Sequence, residues 1–438
     1  MTLLEHIRNK AFWLLDFLRG GEIRQALRLL EQVEGGGMTD EEVEDYQKEQ
    51  LKKLLKHAIQ TVPRCKGMSS MRLKDWPVTN KDSYRDNYNI SLSTSFKKES
   101  LIKMSTSGST GTPFTCYQNV SKKRHVNAEV LFYNGQTGYK IGCRIIYLRS
   151  VVNEISKSQF SQFAQNIYLL NCTDLSDHGI EDKLNFIRFH TQNSPAMLMG
   201  YSSTLDAFRS YFDRYGYEAA KGCHLLGIVG GSTMLYDNTR QAMEQAFGCK
   251  CFSRYANEEN GFLGQDGIEN NVFLMNRANY VTEILRMDSD EPVDDGEIGR
   301  IVVTDLYNYA MPMIRYDTGD IGAWTYIEKN EIRRKAIGSF GGRVIDMIFN
   351  SNGDSISPHS ISTAMWKYRQ IEQYQFAQLG KGQYEIRLNL RGETVNKQEL
   401  VKDLKKVVGN AAVITIKFVE EIPVLTSGKR RYIVNEMR

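Results

Sequence analysis

From about residue 100 onward, short apolar runs alternate with amphipathic runs, and this alternation limits the folds that the chain can adopt. The runs "CRIIYL", "AMLMG", "HLLGIVGG" and "CKCFSRY" have the length and composition of buried strands. The stretches "STLDAFRSYFDRYG" and "LYDNTRQAMEQAFG" carry apolar residues at helical spacing. Alternating strands and helices are typical of a largely parallel sheet, so the sequence predicts an α/β fold.

The segments on either side of this region have different patterns. Residues 1–60 are expected to be helical, because apolar residues recur there at helical spacing. After residue 270, "NYVTEILRM", "GRIVVTDL" and "IGAWTYIE" favour antiparallel strands of a barrel-like or meander subdomain. The segment that follows "GSFGGRVIDMI" predicts a compact α+β unit. A chain of 438 residues exceeds the size of one hydrophobic core, so two domains are expected.

Composition argues against several classes of protein. The 56 basic and 52 acidic residues leave a net charge of only +4, so we expect no nucleic-acid partner. The apolar run "AFWLLDFL" is too short to span a membrane; a helix packed on the core is favoured over contact with a membrane surface. The seven cysteines have neither paired spacing nor a histidine cluster, which argues against zinc and against a disulfide framework. A reducing, cytoplasmic location is therefore expected.

The stretch "MSTSGSTGTPF", residues 104–114, combines glycines with hydroxyl side chains. Backbone N–H groups beside glycine can approach a phosphate closely, and hydroxyl groups donate further hydrogen bonds. The same composition is typical of a surface turn, and the glycine spacing matches neither a Walker loop nor a dinucleotide fingerprint. If the loop binds phosphate, the candidate contacts are Thr106, Ser107, Gly108, Ser109, Thr110 and Gly111.

Two acidic motifs offer further groups suited to a nucleotide. "RYDTGD" places Asp317 and Asp320 around a turn, where a carboxylate can accept both hydroxyls of a ribose. An Asx-type turn between strands has the same pattern. "YANEENG" places Glu258 and Glu259 after a predicted strand. Such carboxylates suit a Mg²⁺ that bridges phosphates, although a solvated acidic loop has the same composition.

Two later motifs contain glycine turns. "GGRVIDMI", residues 341–348, lies where the pattern of strands changes and suits a hinge or a plain linker. "LTSGKRRY" presents Lys429 on a Ser-Gly turn close to the last residue of the sequence, where a basic tail is the simpler interpretation. Taken singly, neither motif decides its role.

The five motifs, in this order, resemble those of the adenylate-forming superfamily of acyl-CoA synthetases, peptide-synthetase adenylation domains and luciferases. The likeness extends from about residue 50 to the end and is greatest to the phenylacetate–CoA ligase branch, including adenylate-forming proteins of capsular polysaccharide clusters. The phrases "DWPVTNKDSYRDNY", "GYSSTLDAF" and "MPMIRYDTGD" are typical of that branch. The implied fold is a large N-terminal domain, 1–343, of two α/β sheets plus a small β-barrel, and a small mobile α+β lid, 344–438.

The resemblance also implies which residues hold ATP. "TSGSTGTP" looks like the loop that grips the triphosphate, and "GGSTM" resembles the stretch that runs along the adenine. Tyr255 would lie against the adenine ring, Asp320 would bind the ribose hydroxyls, and Arg343 would assist near them. The implied adenine-side glycines and hydroxyl are Gly230, Gly231 and Ser232.

The implied reaction joins a small carboxylic acid to the α-phosphorus of ATP and releases pyrophosphate. Glu259, through Mg²⁺, and Lys429, from the lid, are the implied catalytic residues. The acceptor of the acyl group remains open among CoA, a carrier-protein thiol and an amine such as an amino sugar. The alternative is a nucleotide-binding homologue without full catalysis, acting in a polysaccharide biosynthesis complex. It is motivated by Thr112 in place of the usual loop lysine, and by Ala256 and Glu258 in the metal motif.

The acyl pocket is expected beside the adenine stretch. Residues near 133–139, 200–204, 230–234 and 255–262 would form it. The aromatic residues that would shape it also suit a plain hydrophobic core. They are Tyr133, Tyr139, Tyr201 and Phe262.

Overall fold

The computed structural model describes residues 1–106, 114–149, 158–172, 174–329, 332–343, 348–353, 355–356, 361, 364–365, 367–368, 370–390, 394–423 and 431–437. At positions 106, 329, 332, 339–343 and 355 only the backbone is described. The α-helices in this part are α1 (Leu3–Leu18), α2 (Glu22–Gly35), α3 (Asp40–Thr61), α4 (Lys81–Arg85), α5 (Val120–Gly135), α6 (Gln159–Gln165), α7 (Asp177–Thr191), α8 (Ser202–Tyr215), α9 (Asp237–Phe247) and α10 (Lys397–Val408).

The strands of the described residues follow in chain order. They are β1 (Ile102–Thr106), β2 (Phe114–Gln118), β3 (Arg144–Arg149), β4 (Ile167–Asn171), β5 (Ala196–Tyr201), β6 (Leu225–Gly231), β7 (Cys251–Asn257), β8 (Gly261–Gln265), β9 (Leu274–Met275), β10 (Tyr280–Leu285), β11 (Ile298–Asp305), β12 (Tyr316–Lys329), β13 (Ile332–Arg343), β14 (Ile348–Phe349), β15 (Ser355–Ile356), β16 (Ile371–Gly380), β17 (Gln383–Leu390), β18 (Val413–Phe418) and β19 (Ile433–Asn435).

The largest sheet has seven strands in the order β4-β3-β5-β6-β7-β8-β9. Strands β3 to β7 pair in parallel, and β8 and β9 add antiparallel pairs at one edge. Helices α7, α8 and α9 contribute apolar residues such as Ile187, Phe208 and Met243 to a core on this sheet. The predicted α/β fold class is confirmed, and the four runs predicted as strands lie in β3, β5, β6 and β7. Ligands of such sheets bind at the carboxyl ends of the strands, near the reversal of strand order.

A second, antiparallel sheet follows in the order β10-β11-β12-β13. Its strands pair with their neighbours in sequence, so the predicted meander is confirmed. Its core joins that of the hairpin β1–β2, because Phe114 packs in one cluster with Tyr255 and Tyr316. Of the two α/β sheets that the resemblance implies, the described residues form one.

The last part of the chain forms a separate α+β unit. Its sheet has the order β18-β17-β16-β19, with β17 and β18 parallel and β16 and β17 antiparallel. Helix α10 buries Leu400 and Leu404 in the core of this unit. The helix predicted for "SPHSISTAMWKYRQI" falls largely outside the described residues.

The predicted packing of "AFWLLDFL" is wrong. This run lies in α1, which buries Glu5 and Asp16 and leaves Leu14, Phe17 and Leu18 exposed. Asp16 accepts hydrogen bonds from the first N–H groups of α2, so the acidic side chain fixes the turn between the two helices. Among the described residues, no helix has both the length and the apolar character needed to cross a bilayer.

Candidate active site

The seven-stranded sheet and the antiparallel sheet meet where β7 ends and β12 begins. β12 begins at Tyr316, the second residue of "RYDTGD". The motif "YANEENG" begins in the last residues of β7, runs through the loop at 258–260 and ends at the first residue of β8. Tyr316 donates a hydrogen bond of 2.8 Å to Glu259, and Tyr255 donates one of 2.9 Å to Asp320. Two of the predicted motifs are therefore joined by a pair of tyrosine–carboxylate contacts.

Burial keeps both tyrosines protonated. The side chains of Tyr255 and Tyr316 are withdrawn from water, which raises the pKa of each well above its usual value. Each hydroxyl therefore acts as a donor to its carboxylate at neutral pH. Asp320 itself is only half-buried.

The neighbouring acid of "RYDTGD" has a different partner. Asp317 accepts a hydrogen bond of 2.8 Å from Arg300 on β11 and another from the N–H of Gly319. Gly319 has a φ of 76°, a conformation that favours glycine. Asp317 therefore holds the turn, and Asp320 is the acid that faces Tyr255.

Glu259 is almost completely buried, at 1% exposure. One carboxylate oxygen, Oε1, contacts both the Tyr316 hydroxyl and the Lys81 ammonium group, the latter at 3.0 Å. No other hydrogen bond to this carboxylate is found in the described part of the chain, which leaves Oε2 for a ligand. Glu258, the preceding residue, is exposed.

This donor set fits Mg²⁺ in the form in which the ion binds nucleotides. Mg²⁺ commonly uses one or two carboxylates together with substrate phosphates and water. Among the described residues, no group of three or more side chains of the metal-binding types is found. At a nucleotide-bound ion of this kind, the carboxylate of Glu259 would supply one protein ligand.

The sequence motifs did not identify Lys81, which reaches the site from α4. Asn80 caps this helix by accepting a hydrogen bond from the N–H of Ser83. Thr79 exchanges backbone hydrogen bonds with the start of β12, at Arg315 and Asp317. These bonds fix the start of α4 beside Glu259. The phrase "TNKDS" contains a helix cap, but only the tertiary structure shows what its lysine contacts.

The stretch "GGSTM", residues 230–234, which is predicted to run along the adenine, begins at the end of β6 beside β7. Gly230 pairs with Ser253 and Gly231 pairs with Arg254 in the parallel ladder. A Cβ at Gly230 would lie 3.1 Å from Ser202 Oγ, whereas one at Gly231 would meet nothing closer than 3.8 Å. Gly230 therefore packs tightly against α8, and Gly231 is open. Ser232 follows with a φ of 72°, which turns the chain sharply after β6.

The remaining candidates are only partly described. Arg343 is the last residue of β13, and its backbone pairs with Asp320, as a role near the ribose requires. Its side chain is not described. Thr106 ends β1, opposite Phe114 across the hairpin, and its side chain is likewise not described. Ser107, Gly108, Ser109, Thr110, Gly111 and Lys429 lie outside the described residues.

The C-terminal α+β unit contacts the N-terminal part of the chain close to residues 230–234. The rings of Tyr432 and Tyr236 are 5.8 Å apart, and Arg214 lies 3.9 Å from Glu372. Tyr236 caps α9, four residues after Ser232. Tyr432 is three residues after the predicted lysine in the sequence.

Two curated proteins are similar to this chain over most of its length. The chain is 23% identical over 386 residues to "Protein CapK" of Staphylococcus aureus, with 85% of this chain and 82% of CapK covered. It is 24% identical over 388 residues to "Phenylacetate-coenzyme A ligase" of Pseudomonas putida, with 83% and 84% covered. The family model "CapK C-terminal domain" matches residues 348–436.

The chain has the fold of the adenylate-forming enzymes. Over most of its length it is similar to CapK and to phenylacetate–CoA ligase. A crystal structure of 2-hydroxyisobutyryl-CoA ligase in the postadenylation state, in complex with R3-HIB-AMP, has the same fold. That match has a TM-score of 0.73 at 15% identity and covers 91% of this chain and 90% of the other.

Proposed function

We propose that the protein activates a carboxylic acid as an acyl-adenylate, with release of pyrophosphate, and then transfers the acyl group to a thiol or an amine. The observation that carries this proposal is the meeting of Glu259, Tyr255 and Asp320 at the junction of β7 and β12. The names of two relatives, phenylacetate-coenzyme A ligase and 2-hydroxyisobutyryl-CoA ligase, support CoA as the acceptor. Carrier proteins and amino sugars remain alternatives.

In this proposal separate residues at the junction bind the ribose, the adenine and the phosphates of ATP. Asp320 accepts the ribose hydroxyls, Tyr255 lies against the adenine, and the loop that includes Ser107–Gly111 surrounds the phosphates. Glu259 would hold Mg²⁺ through Oε2, and the bound ion would neutralise phosphate charge. Tyr316 orients the Glu259 carboxylate by its hydrogen bond.

Two lysines would stabilise the negative charge that develops as the carboxylate attacks the α-phosphorus. Lys81 lies 3.0 Å from Glu259 and is 32% exposed, so its ammonium group can turn towards a phosphate. Lys81 would supply the positive charge near the phosphates that the usual loop lysine supplies, because this chain has Thr112 at that loop position. Lys429 would approach from the C-terminal unit, and the contact between Tyr432 and Tyr236 supports this placement. We propose that residues 344–438 form the lid that carries it.

Pyrophosphate release with a panel of carboxylic acids, ATP and Mg²⁺ tests the proposal. At least one acid should release pyrophosphate, and hydroxylamine should trap the activated acyl group. We expect Lys429→Ala to lower the rate by at least about 10²-fold, because a well-aimed charged donor contributes that much to charge stabilisation. ATP affinity should change only a few-fold. Intact ATP binding with no product from any acid would favour the non-catalytic nucleotide-binding alternative.

A further inference from the structure

Arg254, the residue before Tyr255 on β7, is buried without a carboxylate partner. It is 8% exposed, and no ion pair involves it in the described part of the chain. Neighbouring strand residues face opposite sides of a sheet, so Arg254 points away from the side on which Tyr255 contacts Asp320. Arginine is almost never fully buried unless it is paired.

Neutral side chains surround the Arg254 guanidinium group. Its Nε donates to Gln265 Oε1 at 2.8 Å, and its Nη2 donates to Asn134 Oδ1 at 2.9 Å. The guanidinium carbon lies 4.7 Å from the centre of the Phe262 ring, which in turn stacks on Tyr133 at 6.1 Å. Burial without a negative neighbour lowers the pKa of Arg254 to about 9. Neutral hydrogen-bond acceptors compensate the buried charge only in part.

Three buried donor groups in this cluster have no hydrogen-bond partner among the residues that the structure describes. They are Nη1 of Arg254, Nδ2 of Asn134 and the hydroxyl of Tyr133. A buried donor that makes no hydrogen bond destabilises the fold, and a buried charge without a partner destabilises it more. Because Asn134 and Gln265 already direct their oxygens at the arginine, the free donors suit a ligand that brings acceptors and negative charge.

We infer that Arg254 binds a second anionic group on the acid that the protein activates, so that the substrates are acids with two anionic groups. This inference rests on the proposed adenylation, since it makes Arg254, Asn134 and Tyr133 part of the acyl pocket. The arginine fork can hold a carboxylate through two N–H groups, and Nη1 is available for one of them. The apolar faces of Phe262 and Tyr133 would flank the carbon skeleton between the two acidic groups.

Pairs of acids with one carbon skeleton test this inference, for example butanoate against butanedioate and benzoate against benzene-1,4-dicarboxylate. In pyrophosphate release the wild-type protein should prefer the doubly charged acid in kcat/KM by at least about 30-fold. Arg254→Met should lose at least about 30-fold in kcat/KM for the doubly charged acid and change it less than about threefold for the singly charged one. Arg254→Lys, which keeps the charge, should retain part of the preference. Equal use of both acids by the wild-type protein, or an equal loss for both in Arg254→Met, would overturn the inference.

Thermal unfolding with the acids alone separates this inference from the proposed reaction. The doubly charged acid should raise the Tm of the wild-type protein, the singly charged acid should not, and Arg254→Gln should abolish the shift. A shift that depends on Arg254 in a protein that releases no pyrophosphate would refute adenylation and keep the anion site. No shift with any doubly charged acid, in a protein that releases pyrophosphate with singly charged acids, would show that water satisfies the arginine.

Discussion

The pair formed by Lys81 and Glu259 allows a quantitative test of the site. Two unit charges 3.0 Å apart attract each other by about 5 kcal/mol at an effective dielectric constant of about 20. The desolvation of buried Glu259 opposes this attraction, and Lys81 is 32% exposed to water, so we expect a coupling free energy of about 1–3 kcal/mol. The coupling should therefore be measurable in the free energies of unfolding of the variants.

A double-mutant cycle of Lys81→Met, Glu259→Gln and the double variant, measured by urea unfolding, gives this coupling. Glu258→Gln is the matched control, because Glu258 is the adjacent acid but is exposed. It should change the free energy of unfolding by less than about 0.5 kcal/mol. A coupling below about 0.5 kcal/mol would refute the assigned contact.

The same variants test catalysis. Glu259→Gln should lower pyrophosphate release by at least about 10²-fold, because it removes the carboxylate that would hold Mg²⁺. Glu258→Gln should remain within a few-fold of the wild-type rate. Similar losses in the two variants would place the metal-binding acid elsewhere.

Three further predictions follow from contacts at and around the site. Asp320→Asn should weaken ATP binding in isothermal titration at least about tenfold, whereas Asp317→Asn, which removes the partner of an arginine on β11, should mainly lower stability. Gly230→Ala should lower the free energy of unfolding by about 1–2 kcal/mol, because its Cβ would crowd α8, and Gly231→Ala should change it by less than about 0.5 kcal/mol. Burial lowers the pKa of His125 to about 4, so the unfolded chain binds more protons at mildly acidic pH. Stability should therefore fall by at most about 3 kcal/mol between about pH 6.5 and pH 4, and His125→Gln should flatten that part of the pH profile, which an unchanged profile would contradict.

Much of the fold could be predicted because the spacing of apolar residues within one helix or strand is a property of a short stretch of sequence. The strands β3, β5, β6 and β7 are buried on both faces and therefore appear as continuous apolar runs, and α8 and α9 appear as amphipathic repeats. The run in α1 shows where this reasoning fails. Its apolar residues satisfy helical spacing, but the side chains that become buried are Glu5 and Asp16. Glu5 accepts a hydrogen bond from Ser194, which is distant in sequence, and Asp16 accepts hydrogen bonds from the start of the next helix.

The candidate site was predicted in part from the sequence alone. The order of the motifs was sufficient to indicate Tyr255, Glu259 and Asp320, because each motif is a short run with a characteristic composition. Composition and spacing alone do not choose between the two acids of "RYDTGD", and it was the resemblance to a known family that indicated Asp320. The structure adds the partners of the two acids: Asp317 pairs with Arg300 on β11, and Asp320 faces Tyr255.

Only the tertiary structure shows which groups surround the charged side chains at the site. Lys81 and Arg254 are ordinary basic residues in the sequence, and their roles depend on what lies within a few ångströms of each side chain. Lys81 lies beside a buried carboxylate, whereas Arg254 is enclosed by neutral groups. Electrostatic energy depends on distance and on exclusion of water, and neither quantity is a property of a short stretch of sequence.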